Sequence, residues 1–224
     1  MTEYTLTYKK NTAFENYLRE LFSADEIAEI AYEEANAVMT FHGVKERVFR
    51  RRVAEAVTLF DKFYTVKEIY EESFSGVFSC AYLGSLIAQE LEREIQTVEK
   101  RIPKSQHLNA NGMKMFLMRE QEYAWKALAL LSKQLYRQCM NEDDLIALMK
   151  YFIGGSVLTD RTVVMSGGLY FDDTNEDIPL VRFFSDEDEN AAFNLLRLSP
   201  AEILVPAPKN YSVQLLSLIK KLGE

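Results

Sequence analysis

The chain has 224 residues, of which 48% are hydrophobic and 27% charged, the balance of a globular protein with a core to bury, and this excludes wholesale disorder. A formal net charge of −8 argues against generic phosphate-backbone binding over the whole surface. The two cysteines, Cys80 and Cys139, fit no CxxC or disulfide framework and suit a reducing compartment.

Helix starts are announced by capping boxes, in which a hydroxyl at the N-cap is answered by a carboxylate three residues on. Thr12 with Glu15, Ser23 with Glu26 and Thr65 with Glu68 fit this pattern, and Asn141 with Asp144 fits it more loosely. The first helix then shows Phe14, Leu18 and Leu21 to a core. The second shows Ile27, Ile30, Ala31, Val38 and Met39 and stops near Gly43, which can take a left-handed conformation. Val44, Val48, Phe49, Val53, Ala56, Val57 and Phe60 follow at helical spacing. From Val66 to Ile102 the pattern barely breaks, which predicts one long central helix ended by Pro103. Ser73, Gly76, Cys80 and Gly84 would form a small-residue stripe on it, predicted to admit the close approach of the helix containing Trp125 and Leu128. After a polar loop, SQHLNANG, a long helix carries Phe116, Leu117, Tyr123, Ala124, Leu128, Leu131 and Leu135. A short one carries Leu145, Ile146, Met149 and Phe152 and is closed by Gly154 and Gly155.

Beyond that point the grammar changes. TVVMS and LYFDD around Gly167-Gly168 read as a hairpin, because a two-residue turn needs positive φ. IPLVRFF reads as a third strand, with Pro179 at its beginning. SDEDENAAFNLLRLS reads as a helix with Ser185 as N-cap, leading to a strand at EILVP. The last helix would bury Val213, Leu216 and Ile219 and carry Lys220 and Lys221 at its C-terminal end. A strand, a helix and a second strand make a crossover, hence a small mixed sheet covered by two helices. The expected fold class is therefore α+β, mainly α: a helical, bundle-like region over 1–153 and a small α/β module over 154–224, packed together as one globular unit. Phe152, Val164, Leu196, Ile203 and Ile219 should then share a core.

From about Met113 the chain resembles the YtxC-like family, sporulation proteins of endospore-forming Firmicutes. The phrases that carry the resemblance are MKMFLMREQEYAWKAL, DLIALMKYFIGG, TVVMSGGLYFDD and LLRLSPAEILVPAPKNYSVQLLSLIKKLG, in that order. The family's closing His is replaced here by Val205-Pro206. The resemblance implies a setting, sporulation, and no reaction.

The clearest charge feature is KERVFRRR, in which Arg47, Arg50 and Arg51 share a helix face beside Arg52. Such a face can contact an anionic partner; it can equally be a solvated side paired with Glu46 and Glu55. The acids of DDTNED (172–177) and DEDE (186–189) lack the central Gly and terminal Glu of an EF-hand, and a turn and a helix start account for them. His42 and His107 have no second ligand at i+3 or i+4, and no nucleophile elbow is visible. SGG at 166–168 lacks the GK[ST] ending of a phosphate loop. Tyr70, Phe74, Phe78 and Tyr82, at helical spacing, read as core.

No catalytic, cofactor or metal residues are therefore assigned. MTEYTLTYKKNTAF lacks a signal-peptide core, and VFSCAYLGSLIA at 77–88 is too short to cross a bilayer, so a cytoplasmic protein with no membrane partner is expected. The expectation is a non-enzymatic interaction or regulatory protein associated with sporulation, whose partner is another protein. One alternative is a nucleic-acid or anionic-partner binder using Arg47, Arg50, Arg51 and Arg52, disfavoured by the net charge; the other is an enzyme whose site assembles only in three dimensions.

Overall fold

A computed structural model describes residues 3–70, 74–154 and 159–223. Along the chain run β1 (Glu3–Lys9), α1 (Thr12–Leu21), β2 (Ile27–Tyr32), β3 (Asn36–His42), α2 (Glu46–Tyr70), α3 (Val77–Ala88), α4 (Leu91–Arg101) and β4 (His107–Asn109). They are followed by α5 (Ala110–Leu117), α6 (Arg119–Tyr136), α7 (Glu142–Ile153), β5 (Thr159–Met165), β6 (Leu169–Phe171), α8 (Glu187–Leu198), β7 (Pro200–Leu204) and α9 (Val213–Gly223). The protein is thus α+β and mainly helical, as expected. It forms two compact units, Met1–Val66 with Leu91–Lys126 and Lys67–Glu90 with Ala127–Glu224; neither begins at Gly154, where the sequence pattern changes.

The first unit corrects the all-helical expectation for the N-terminal region. It contains a four-stranded sheet in the order β2-β3-β1-β4, antiparallel except for the parallel pair β1–β4. Alternation along YTLTY turns Tyr4, Leu6 and Tyr8 to the buried face, and Ala37, Met39 and Phe41 do the same on β3. Residues 27–42, expected to be helical, are a hairpin. Ser23 N–H does donate to the Glu26 carboxylate at 2.9 Å, one half of a capping box, but Glu26 N–H donates to the Ser23 carbonyl at 2.9 Å and not to its hydroxyl, and the turn they close leads into β2. Val38 and Thr40 are β-branched, and the period of two through Ala37, Met39 and Phe41 wins over a few apolar residues at helical spacing. Helix α1 begins where expected, with Asn11 as its N-cap in place of Thr12. Helix α2 lies on the sheet through Phe49, which stacks on Tyr4 at 4.7 Å and meets Phe41 at 5.3 Å. SQHLNANG, expected as a loop, contains β4 and the N-cap Asn109 of α5.

The predicted central helix is three helices. Thr65 is buried inside α2, Gly76 at φ 84° precedes α3, and Glu90 at φ 56° separates α3 from α4. Ser73 and Gly155 lie outside the described residues. In the second unit every residue of α3 except Ser79 is buried. Gly84 does admit a close neighbour, but that neighbour is α8: a Cβ at Gly84 would collide with the Phe193 carbonyl.

The hairpin β5–β6 turns at Gly167, φ 69°, as expected, and β7 returns parallel to β5 after α8, giving the order β6-β5-β7. IPLVRFF is not a strand. Asn194, fully buried on α8, accepts from Val181 N–H at 3.1 Å and donates to its carbonyl at 2.8 Å. Asn190, one turn earlier, does the same for Phe184, at 3.0 and 2.8 Å. Two amides on one helix face thus supply the hydrogen bonds a neighbouring strand would have supplied. The N-cap of α8 is Asp186, one residue past Ser185. Helix α9 buries Leu215 and Leu218, whereas Val213 is exposed and Leu216 and Ile219 are half-buried. Of the five residues expected to share a core, Phe152, Val164 and Leu196 are buried and Ile203 and Ile219 half-buried.

Candidate functional site

The arginines of α2 are drawn into the first unit's own electrostatics. Arg50 donates to the Glu99 carbonyl at 2.6 Å and the Ile102 carbonyl at 2.9 Å, satisfying the C-terminal end of α4. Arg51 pairs with Glu92 at 2.6 Å and lies 3.7 Å from Glu99. Arg52 pairs with Glu26 at 2.7 Å and covers the Phe22 ring at 5.1 Å. Arg47 is exposed and lines a groove beside Arg51, Glu92 and Glu99, so the groove carries both signs of charge.

The other features singled out in the sequence have structural roles. Asp173 accepts from Arg161 at 2.6 Å, whose guanidinium also lies 3.5 Å from the Phe171 ring centroid, and this closes the acidic turn. Asp186 caps α8, Asp188 accepts from Ser212 N–H at 2.8 Å, and Glu189 accepts from Gly76 N–H at 2.5 Å. His42 ends β3, and His107 Nδ1 lies 2.8 Å from Thr5 Oγ1 on the neighbouring strand. Among the described residues no group of three or more His, Cys, Asp and Glu could hold a metal ion. Tyr70 and Tyr82 share a buried hydroxyl contact of 2.8 Å, with Ser132 2.8 Å from the Tyr70 hydroxyl. Among the described residues no helix is long and apolar enough to cross a membrane.

Two features were not singled out in the sequence. The first is a cleft of about 330 Å³ in the first unit, where the end of β1, the start of α1, the middle of α2 and the start of α5 meet. Phe14, Val57 and Phe60 form its apolar wall; Asp61, Tyr64, Asn11 and Lys114 supply its polar groups. Lys114 Nζ stands 3.5 Å from Asp61 Oδ1, while Asp61 Oδ2 is buried with no hydrogen-bond partner. Burial pushes the Asp61 carboxyl up to about 6, Lys114 pulling it back and Glu122 adding to the rise. Next to Asp61 on α2 the buried Lys62 pairs with Glu94 at 2.8 Å, and Glu94 also accepts from Trp125 Nε1 at 2.8 Å. The sequence carries no signal for this burial: Glu55, Thr58, Asp61 and Lys62 fall on one side of α2 at helical spacing and read as its solvated face.

The second is the outer face of α6 in the second unit. Ala127, Leu130, Leu131, Gln134 and Leu135 are exposed, Leu131 to 65%, and at 100° per residue they lie within about 140° of one another. None is charged. Lys133 borders this face, its ammonium donating to the Ile69 carbonyl at 2.8 Å. Neither a family model, nor a curated protein, nor a solved structure matches this chain.

Proposed function

We propose that the protein works by binding another protein in the cytoplasm and not by catalysis, and that the outer face of α6 receives the partner. The observation that carries this reading is the uncharged leucine face. Three large apolar side chains, Leu130, Leu131 and Leu135, stand in water on one helix, and a partner that covers them gains about 1.5–3 kcal/mol for each one fully buried. The border with Lys133 favours an amphipathic helix with an acidic flank over a second copy of this chain, whose matching face would bring the same sign of charge. The paired state of Arg50, Arg51 and Arg52 supports this reading over nucleic-acid binding, since those guanidinium groups would have to leave carboxylates or carbonyls to meet phosphate. The resemblance from Met113 onward supports a sporulation setting.

A photoreactive amino acid at Leu131, with a second placed at Arg47, tests the proposal in growing and in sporulating cells. The expected adduct forms from position 131 in sporulating cells. It maps to an acidic amphipathic segment of another protein and disappears with Leu135→Lys. Nucleic-acid adducts from position 47 with none from 131, or adducts only between copies of this chain, would overturn it. Leu131→Lys should leave the melting temperature of the isolated protein unchanged, because the side chain is already in water.

A further inference from the structure

We propose that the cleft at Asp61 binds a free α-amino acid with a large apolar side chain. The Asp61 carboxyl lines the cleft with a single ionic partner, Lys114, while its second oxygen is shut away from solvent without a hydrogen bond. The side chain of Asp61 is 17% exposed, whereas that of Lys114 is 46% exposed, so the ammonium retains donors for a second acceptor. Standing 3.5 Å apart, the carboxyl and the ammonium present adjacent opposite charges. The complement of such a pair is another pair in the reverse order: a ligand ammonium against the accessible part of the Asp61 carboxyl and a ligand carboxylate against Lys114. Among small molecules, the backbone of a free amino acid has these two groups on one carbon. Phe14, Val57 and Phe60 then receive the side chain, and the cleft is at the small end of ligand sites, which run from about 300 to 1,000 Å³. Lys9 and Lys10 at the rim make the cleft positive overall in a chain of net charge −8, which draws in the carboxylate end first.

This proposal does not depend on the α6 face and can fail without it. The test is calorimetry at neutral pH with the panel of standard L-amino acids, then with two truncated probes: 3-phenylpropionate, which lacks the amine, and phenethylamine, which lacks the carboxylate. The intact protein should bind L-phenylalanine or a similarly large apolar member. Loss of the amine should weaken binding by about tenfold or more, and loss of the carboxylate likewise. Asp61→Asn should stop distinguishing L-phenylalanine from 3-phenylpropionate, and Lys114→Gln should stop distinguishing it from phenethylamine, with circular dichroism confirming that each variant is folded. Failure of every amino acid to bind the intact protein overturns the proposal. So does an undiminished preference for the amine in Asp61→Asn together with an undiminished preference for the carboxylate in Lys114→Gln.

Discussion

Asp61 and Lys62 are neighbours on α2, yet burial treats them differently because their partners differ. Lys62 has a carboxylate at 2.8 Å, and Glu94 has a second donor in the Trp125 indole, so this pair is held in the form that survives burial. Asp61 has only the more exposed Lys114 and a negative neighbour in Glu122, so burial dominates and raises it from 3.8 to about 6. The folded protein therefore holds this proton more tightly than the unfolded chain. The associated stability is fully present below about pH 4 and is lost as pH rises through 6, a loss on the order of 3 kcal/mol. Asp61→Asn should accordingly raise the melting temperature at pH 7.5, and the advantage should vanish at pH 4. Paired thermal melts at the two values check this; an equal gain at both would remove the carboxylate as its cause. Nothing in the local sequence ranks Asp61 above the other acids of the chain, because the ranking depends on what α5 brings beside it.

At the scale of elements, local punctuation was legible and the choice between helix and strand was less so. Asn141 caps α7, Pro103 follows the end of α4, and Gly167 turns the β5–β6 hairpin, each through chemistry confined to a few residues. The hairpin of β2 and β3 was missed because short apolar runs fit both periods, and what decides them is pairing with β1, which is more than twenty residues away in sequence. The α6 face was hidden for the same kind of reason: Leu131 and Leu135 have the spacing of core residues, and only the packing of the second unit leaves them outside. IPLVRFF has the composition of a strand and the hydrogen bonds of a loop fastened to α8. Asn194→Leu, close in size, would orphan both the N–H and the carbonyl of Val181, at about 1–3 kcal/mol for each group. A urea titration should show that loss, whereas Gln134→Leu, on an exposed face, should leave the midpoint in place.

For the whole molecule, the decisive feature is that each compact unit draws on two separate stretches of chain. Helix α3 belongs with α8, and a chain ending after Ile153 would keep the first and lack the second. Such a truncated chain keeps the whole of the first unit and should keep that unit's melt, while binding a hydrophobic dye that the full chain excludes. Dye binding no greater than that of the full chain would mean that α3 finds adequate cover without α8. The same pairing governs how the protein is born. Helix α3 has left the ribosome about 100 residues before α8 begins, and at about 5–20 residues per second the nascent chain carries its most apolar helix without its α8 cover for roughly 5–20 seconds. During that interval α3 is the segment a chaperone would hold, and the speed of translation between Ala88 and Glu187 sets how long it must be held.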